Sequence, residues 1–99
     1  MTVTVNIIYR GKNGSAFEFA NEMISSGLVT KIREQKGNLR FDYFKSFDDP
    51  EALLLIDEWV DQEAIDIHHK SEMMPQIADL RKKYQLKMEV KQFQEITKK

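Results

Sequence analysis

The chain alternates from its start. In TVTVNIIY (2–9), Val3, Val5, Ile7 and Tyr9 fall on one face, and Thr2, Thr4, Asn6 and Ile8 on the other. Period-two alternation in a β-branched run predicts a strand. RGKNG (10–14) is turn chemistry. Ser15, with Glu18 three residues on, reads as a capping box that opens a helix. That helix spaces Phe17, Ala20, Met23/Ile24, Leu28 and Ile32 by threes and fours, a core-facing stripe. Gly27 is a weak point inside it, costing about 1 kcal/mol against Ala. Gly37 is its stop. LRFDYFKSF (39–47) predicts a second strand, with Leu39, Phe41, Tyr43 and Phe47 on one face. After the turn residues Asp48-Asp49-Pro50, ALLLIDEW (52–59) predicts a third strand, paired with the second as an antiparallel hairpin. Asp61 is an N-cap for a helix that carries Ala64, Ile65 and His68 on one side. Ser71 and Pro75 break it, and a further helical piece follows over about 72–84. Residues 86–96, LKMEVKQFQEI, alternate again and close the pattern as a strand, and residues 97–99 read as a frayed tail.

The order β-α-β-β-α-β predicts an α+β, ferredoxin-like fold: a four-stranded antiparallel sheet with its helices on one face. At 99 residues the expectation is one domain, 1–99, with a core over about 2–96. Phe41, Phe44, Phe93 and Leu54 are apolar candidates for the uncovered face, which points to a homodimer through sheet faces or edges. Lys plus Arg total 15 against 16 Asp plus Glu, a balance that argues against a non-specific nucleic-acid binder. Cysteine is absent, which removes disulfides, thiolate nucleophiles and zinc–thiolate sites. With a strand-like start rather than a signal sequence, and no apolar run long enough to span a bilayer, the expected location is cytoplasmic, away from membranes.

Few residues carry chemistry. His68 and His69 are the only histidines. Helical neighbours diverge by about 100°, so they do not converge on one metal. The bland reading leaves one in solvent and one satisfied in the core. The functional reading lets His68 line a pocket between helix and sheet and move a proton near neutral pH. Asp57 and Trp59 share a strand face with Leu53 and Leu55. An acid there costs free energy unless it is paired, across the hairpin with Arg40 or Lys45, or lines a polar pocket wall. Trp59 is by default a core residue. Asn6 sits mid-strand, where its amide demands a partner. Tyr43, Arg40 and Met73 are weaker candidates for a substrate-binding wall, and Met73-Met74 reads first as core. Arg81-Lys82-Lys83 reads as a solvated face. No phosphate-binding glycine loop is present.

Taken together, Asn6, the stretch REQKGNLRFDYF (33–44), Asp57-Glu58-Trp59 at the end of strand three and Ala64-x-x-x-His68-x-x-Ser71 carry a resemblance. The chain resembles the antibiotic biosynthesis monooxygenase family, small dimeric α+β barrels, over residues 2–96. GNLRFD (37–42) is most similar to the branch that processes phosphorylated autoinducer-2, an isomerase. Quinol and anthrone-type monooxygenases form another branch. A haem-degrading branch fits least, since the positions of its helical Trp and His look like Ile67 or His68 and Ala78. The resemblance implies a homodimer that needs no cofactor, with molecular oxygen as co-substrate and a small quinol-like or enolisable aromatic as substrate. It implies His68 as proton acceptor or donor, Asn6 at the substrate oxygen, Asp57 orienting or compensating charge, and Trp59 and Tyr43 as walls. An isomerase would need a cation for phosphate, Arg40 or Lys70. A non-catalytic dimeric ligand-binding module is the third reading. Two departures stand out: the family usually has Glu where Asp57 stands, and often a second His where this chain has Met73.

Overall fold

The computed structural model describes residues 1–96. Strands β1 (Val3–Arg10), β2 (Asn38–Lys45), β3 (Ala52–Trp59) and β4 (Lys87–Gln94) form one sheet in the order β2-β3-β1-β4, with every neighbouring pair antiparallel. Helices α1 (Ser15–Ser25), α2 (Leu28–Arg33), α3 (Gln62–His69) and α4 (Met73–Lys83) supply the second layer. This is the ferredoxin-like α+β architecture that the element order predicts. The expected tail at 97–99 lies outside the described residues. Among the described residues, no helix is long and apolar enough to cross a membrane.

The first helical region departs from expectation in two ways. Ser15 is not the cap: Gly14 takes that position, and Ser15 Oγ accepts from the Lys12 amide at 3.0 Å. The exposed amides of Asn13 and Gly14 donate instead to the Glu51 carboxylate, each at 2.7 Å. A long-range carboxylate therefore replaces the local capping box. The helix also does not run through Gly27. That residue adopts φ +85°, a left-handed conformation that ends α1 and starts α2 in a new direction. The stripe rotates with the break. Ala16, Phe19, Ala20 and Met23 are buried, whereas Ile24 is exposed and Phe17 packs only at the margin.

Strand β2 differs similarly. Asn38 pairs with Trp59 and Arg40 with Glu58, so Leu39 is bulged out and exposed rather than sharing a face with Phe41. Phe47 lies past the end of the strand, fully exposed. Phe41, a candidate for the uncovered face, instead packs inward against the helices. The hydrophobic core fills the space between the inner sheet face and the helices, with Trp59, Phe19, Met23, Ile32, Ile65 and Val3 wholly enclosed. Edge strand β4 is different: all eight of its residues are exposed. The helical layer leaves that flank of the inner face open, and a cavity enters there.

Candidate active site

The cavity has a volume of about 270 Å³ and lies between the inner sheet face and helices α3 and α4. It exceeds the roughly 150 Å³ of an apolar cavity that holds benzene, so one or two fused rings fit. Strand alternation builds its floor. Val5, Ile7 and Tyr9 of β1, Phe41 and Tyr43 of β2, and Leu55 and Asp57 of β3 all point inward, and Met88, Val90 and Gln92 of β4 form the open wall. His68, His69, Met74, Ile77 and Arg81 descend from the helices.

His68 is held by its helix and two contacts. Asp61 caps α3 by accepting from the Ala64 amide at 2.9 Å, and Ala64, Ile65 and His68 form the buried side. The imidazole is buried and stacks on Trp59, with ring centroids 4.9 Å apart and 30° between planes. Its Nδ1 lies 2.6 Å from Gln35 Oε1. An amide oxygen only accepts, so Nδ1 carries the proton and Nε2 is left as the basic atom. Burial, reinforced by His69, pushes the pKa of His68 down to about 4, so the ring is neutral at pH 7.

Asp57 is 6% exposed and burial raises its pKa to about 7. The nearby Trp59 indole opposes that rise, although Trp59 Nε1 and Asp57 Oδ1 each lack a partner with hydrogen-bond geometry. The Asp57 carboxyl is thus close to half protonated in neutral solution. Tyr43 is raised above the usual phenol range by burial, and its hydroxyl is also buried without a partner. Tyr9 is pushed up to about 12 for the same main reason. Both phenols remain O–H donors at any ordinary pH. The aromatic rings brace one another, Phe41 and Tyr43 edge to face at 5.6 Å and Tyr9 tilted against Phe19 at 5.0 Å. The cavity therefore joins an apolar lining to a neutral imidazole, a carboxyl near its midpoint and the unpartnered Tyr43 hydroxyl.

Of the residues singled out in the sequence, His68, Asp57 and Tyr43 meet here. Trp59 lies behind His68, wholly buried, as its support rather than a cavity wall. Asn6 falls on the opposite sheet face, between Ile56 and Lys91, because alternate β1 residues point apart; it is separated from His68 by the sheet. Its Oδ1 is buried and unpartnered there. Arg40 also lies on that face, paired with Asp42 at 3.0 Å and over the Phe44 ring, so it neither lines the cavity nor neutralises Asp57. Among the described residues Asp57 has no salt bridge at all, with Lys45 or any other cation. Met73 packs on the core margin, and its neighbour Met74 takes the cavity position. Sequence reading missed Gln35 and Tyr9, read Arg81 as a solvated face, and named His69 and Met74 only beside the neighbours it preferred. The spacing of Met74, Ile77 and Arg81 by three and four held a usable signal; the Gln35–His68 contact, 33 positions apart, held none.

Solved structures share this architecture. SnoaB, a cofactor-independent oxygenase from Streptomyces nogalater, superposes with a TM-score of 0.80 at 16% identity, covering 98% of this chain and 95% of that one. A conserved protein from Methanosarcina mazei gives 0.83 at 20% identity, covering 97% and 94%. A Pseudomonas aeruginosa protein gives 0.81 at 20%, covering 97% and 95%. At these identities the likeness concerns the fold. No curated protein matches the sequence. Residues 2–80 match the family described as antibiotic biosynthesis monooxygenase, which is most of the chain. That sequence match places this chain in the antibiotic biosynthesis monooxygenase family.

Proposed function

We propose that the chain is a cofactor-independent monooxygenase of a small quinol-like or enolisable aromatic substrate, with His68 as the proton acceptor. The observation that carries this reading is His68 itself, a neutral imidazole lining an apolar cavity with its Nδ1–H bound to Gln35. A substrate CH₂ flanked by a ring and a carbonyl loses a proton to Nε2. The resulting carbanion gives its electrons to O₂; CH₂ becomes C=O and the second oxygen atom leaves as water. Tyr43 and the protonated form of Asp57 donate to the oxygen on which negative charge develops. Water exclusion by the apolar lining strengthens those hydrogen bonds. Asn6, on the far sheet face, has no place in this arrangement within one chain.

Neither cation named for the isomerase reading lines the cavity: Arg40 is engaged on the other face, and Lys70 is not among the cavity residues, which leaves Arg81 as the one cation there among the described residues. We further propose that two copies pair through the outer sheet face. There Ile8, Leu54 and Phe44 stand side by side across three strands with Ile56 next along β3, and Phe93 of β4 lies opposite Thr4; Phe44 and Phe93 are 38% and 49% exposed. The deciding experiment is oxygen uptake by metal-free protein with a panel of reduced quinones and anthrones, beside His68→Ala. The reading requires uptake that is lost in the variant while the fold persists. Saturable binding of these compounds with no uptake would replace it by a non-catalytic binding module, and full activity of His68→Ala would remove His68 from the mechanism.

A further inference from the structure

The cavity mouth carries a charge that the chemistry above does not use. Arg81 is the only Lys or Arg among the cavity-lining residues. It stands on α4 two turns from Met74, with Ile77 between them on the same side. Arg81 is partly exposed, and its hydrogen-bond partner among the described residues is the Met88 thioether, an exposed contact with Nη1 to Sδ at 2.9 Å. No carboxylate among the described residues pairs with it. The neighbouring basic residue Lys83 is satisfied, bound to Glu22 at 2.8 Å on the other side of the helix.

A thioether is a weak acceptor, so most of the five guanidinium donors have no matching anion among the described residues. A partly desolvated cation beside apolar walls gains most from an acceptor of opposite charge, and the planar fork suits a carboxylate bidentately. Charge also limits the choice. One cation balances one negative charge, and Asp57 deeper in the cavity disfavours a second. Arg81 and Asp57 are the two charged groups whose fields reach the Tyr9 phenol, and all three residues line the same cavity.

We infer that Arg81 is a specificity-determining residue that selects flat aromatic substrates bearing a single carboxylate, held at the cavity mouth with the rings directed inward. The inference deepens the proposed function but concerns recognition, so binding tests it independently of turnover. Calorimetric titration at neutral pH and low salt would compare 2-naphthoate with its uncharged isostere 2-naphthamide on the full chain. The same pair would be titrated against Arg81→Met and Arg81→Lys. The expected result is at least a tenfold preference of the native chain for the carboxylate, about 1.4 kcal/mol. Arg81→Met should bring the ratio to about one without weakening the amide, and Arg81→Lys should retain part of it. Equal affinities in the native chain, a preference that survives in Arg81→Met, or no saturable binding of either compound would overturn the inference. Because no oxygen is consumed, a failure of the oxygenase reading leaves this result standing, and the reverse also holds.

Discussion

Asp57 and His68 have opposite effects on the pH dependence of stability, and this can be measured without a substrate. Burial raises the carboxyl from 3.8 to about 7. Between those values the folded chain keeps a proton that the unfolded chain has lost, so stability falls as pH rises through the window. A shift of about three units corresponds to roughly 4 kcal/mol. His68 moves the other way, from 6.5 down to about 4. Between those values the unfolded chain holds the extra proton, so stability rises with pH, by roughly 3 kcal/mol across the window. From about pH 4 to 6.5 the two slopes nearly cancel in the native chain. Single variants uncover them. Relative to the native chain, Asp57→Asn should gain about 4 kcal/mol between pH 4 and 7.5, and His68→Gln should lose about 3 kcal/mol between pH 4 and 6.5. Urea unfolding followed by circular dichroism at half-unit pH steps measures both differences, and other titrating groups drop out because they are common to each pair. A difference that stays flat with pH for either variant would refute the burial argument for that residue.

Further expectations follow from individual contacts. Turnover should fall as pH rises through about 7, where Asp57 loses its donor proton, and as it drops through about 4, where His68 is protonated; Asp57→Asn, still a donor, should lose the upper limb of a steady-state pH–rate profile. Gln35→Leu leaves the His68 Nδ1–H buried without an acceptor; chemical denaturation should show a loss of about 1–3 kcal/mol, and kcat should fall as the ring loses its fixed tautomer. Gly37→Ala puts a Cβ 2.6 Å from the Ala64 Cβ at φ +91°, so thermal unfolding should show a loss of about 2–4 kcal/mol from strain and overpacking together. Glu51→Ala removes the acceptor of two amides before α1 and should cost about 1–2 kcal/mol by the same assay.

The sequence by itself determined the order and type of the elements, because period-two and period-four patterns are local properties of a chain. It also determined which side of α3 faces the core, through Asp61, Ala64, Ile65 and His68. Where a distant group intervened, local reading failed. Glu51 replaced the Ser15 capping box, and the bulge at Leu39 changed which residues of β2 face inward. The site shows the same division. His68, Asp57 and Tyr43 were visible as residue types on the right faces. That Asn6 and Arg40 lie on the other sheet face was visible only once the strands were assembled, since one sheet separates residues that a motif places side by side. Only the tertiary structure could add Gln35, which meets its partner across 33 positions. Arg81 read as a solvated charge although its spacing already put it on the side of α4 that carries Met74 and Ile77, and the fold lines the cavity with that side. Periodicity is set by neighbours in sequence, whereas protonation state, tautomer and charge compensation are set by neighbours in space.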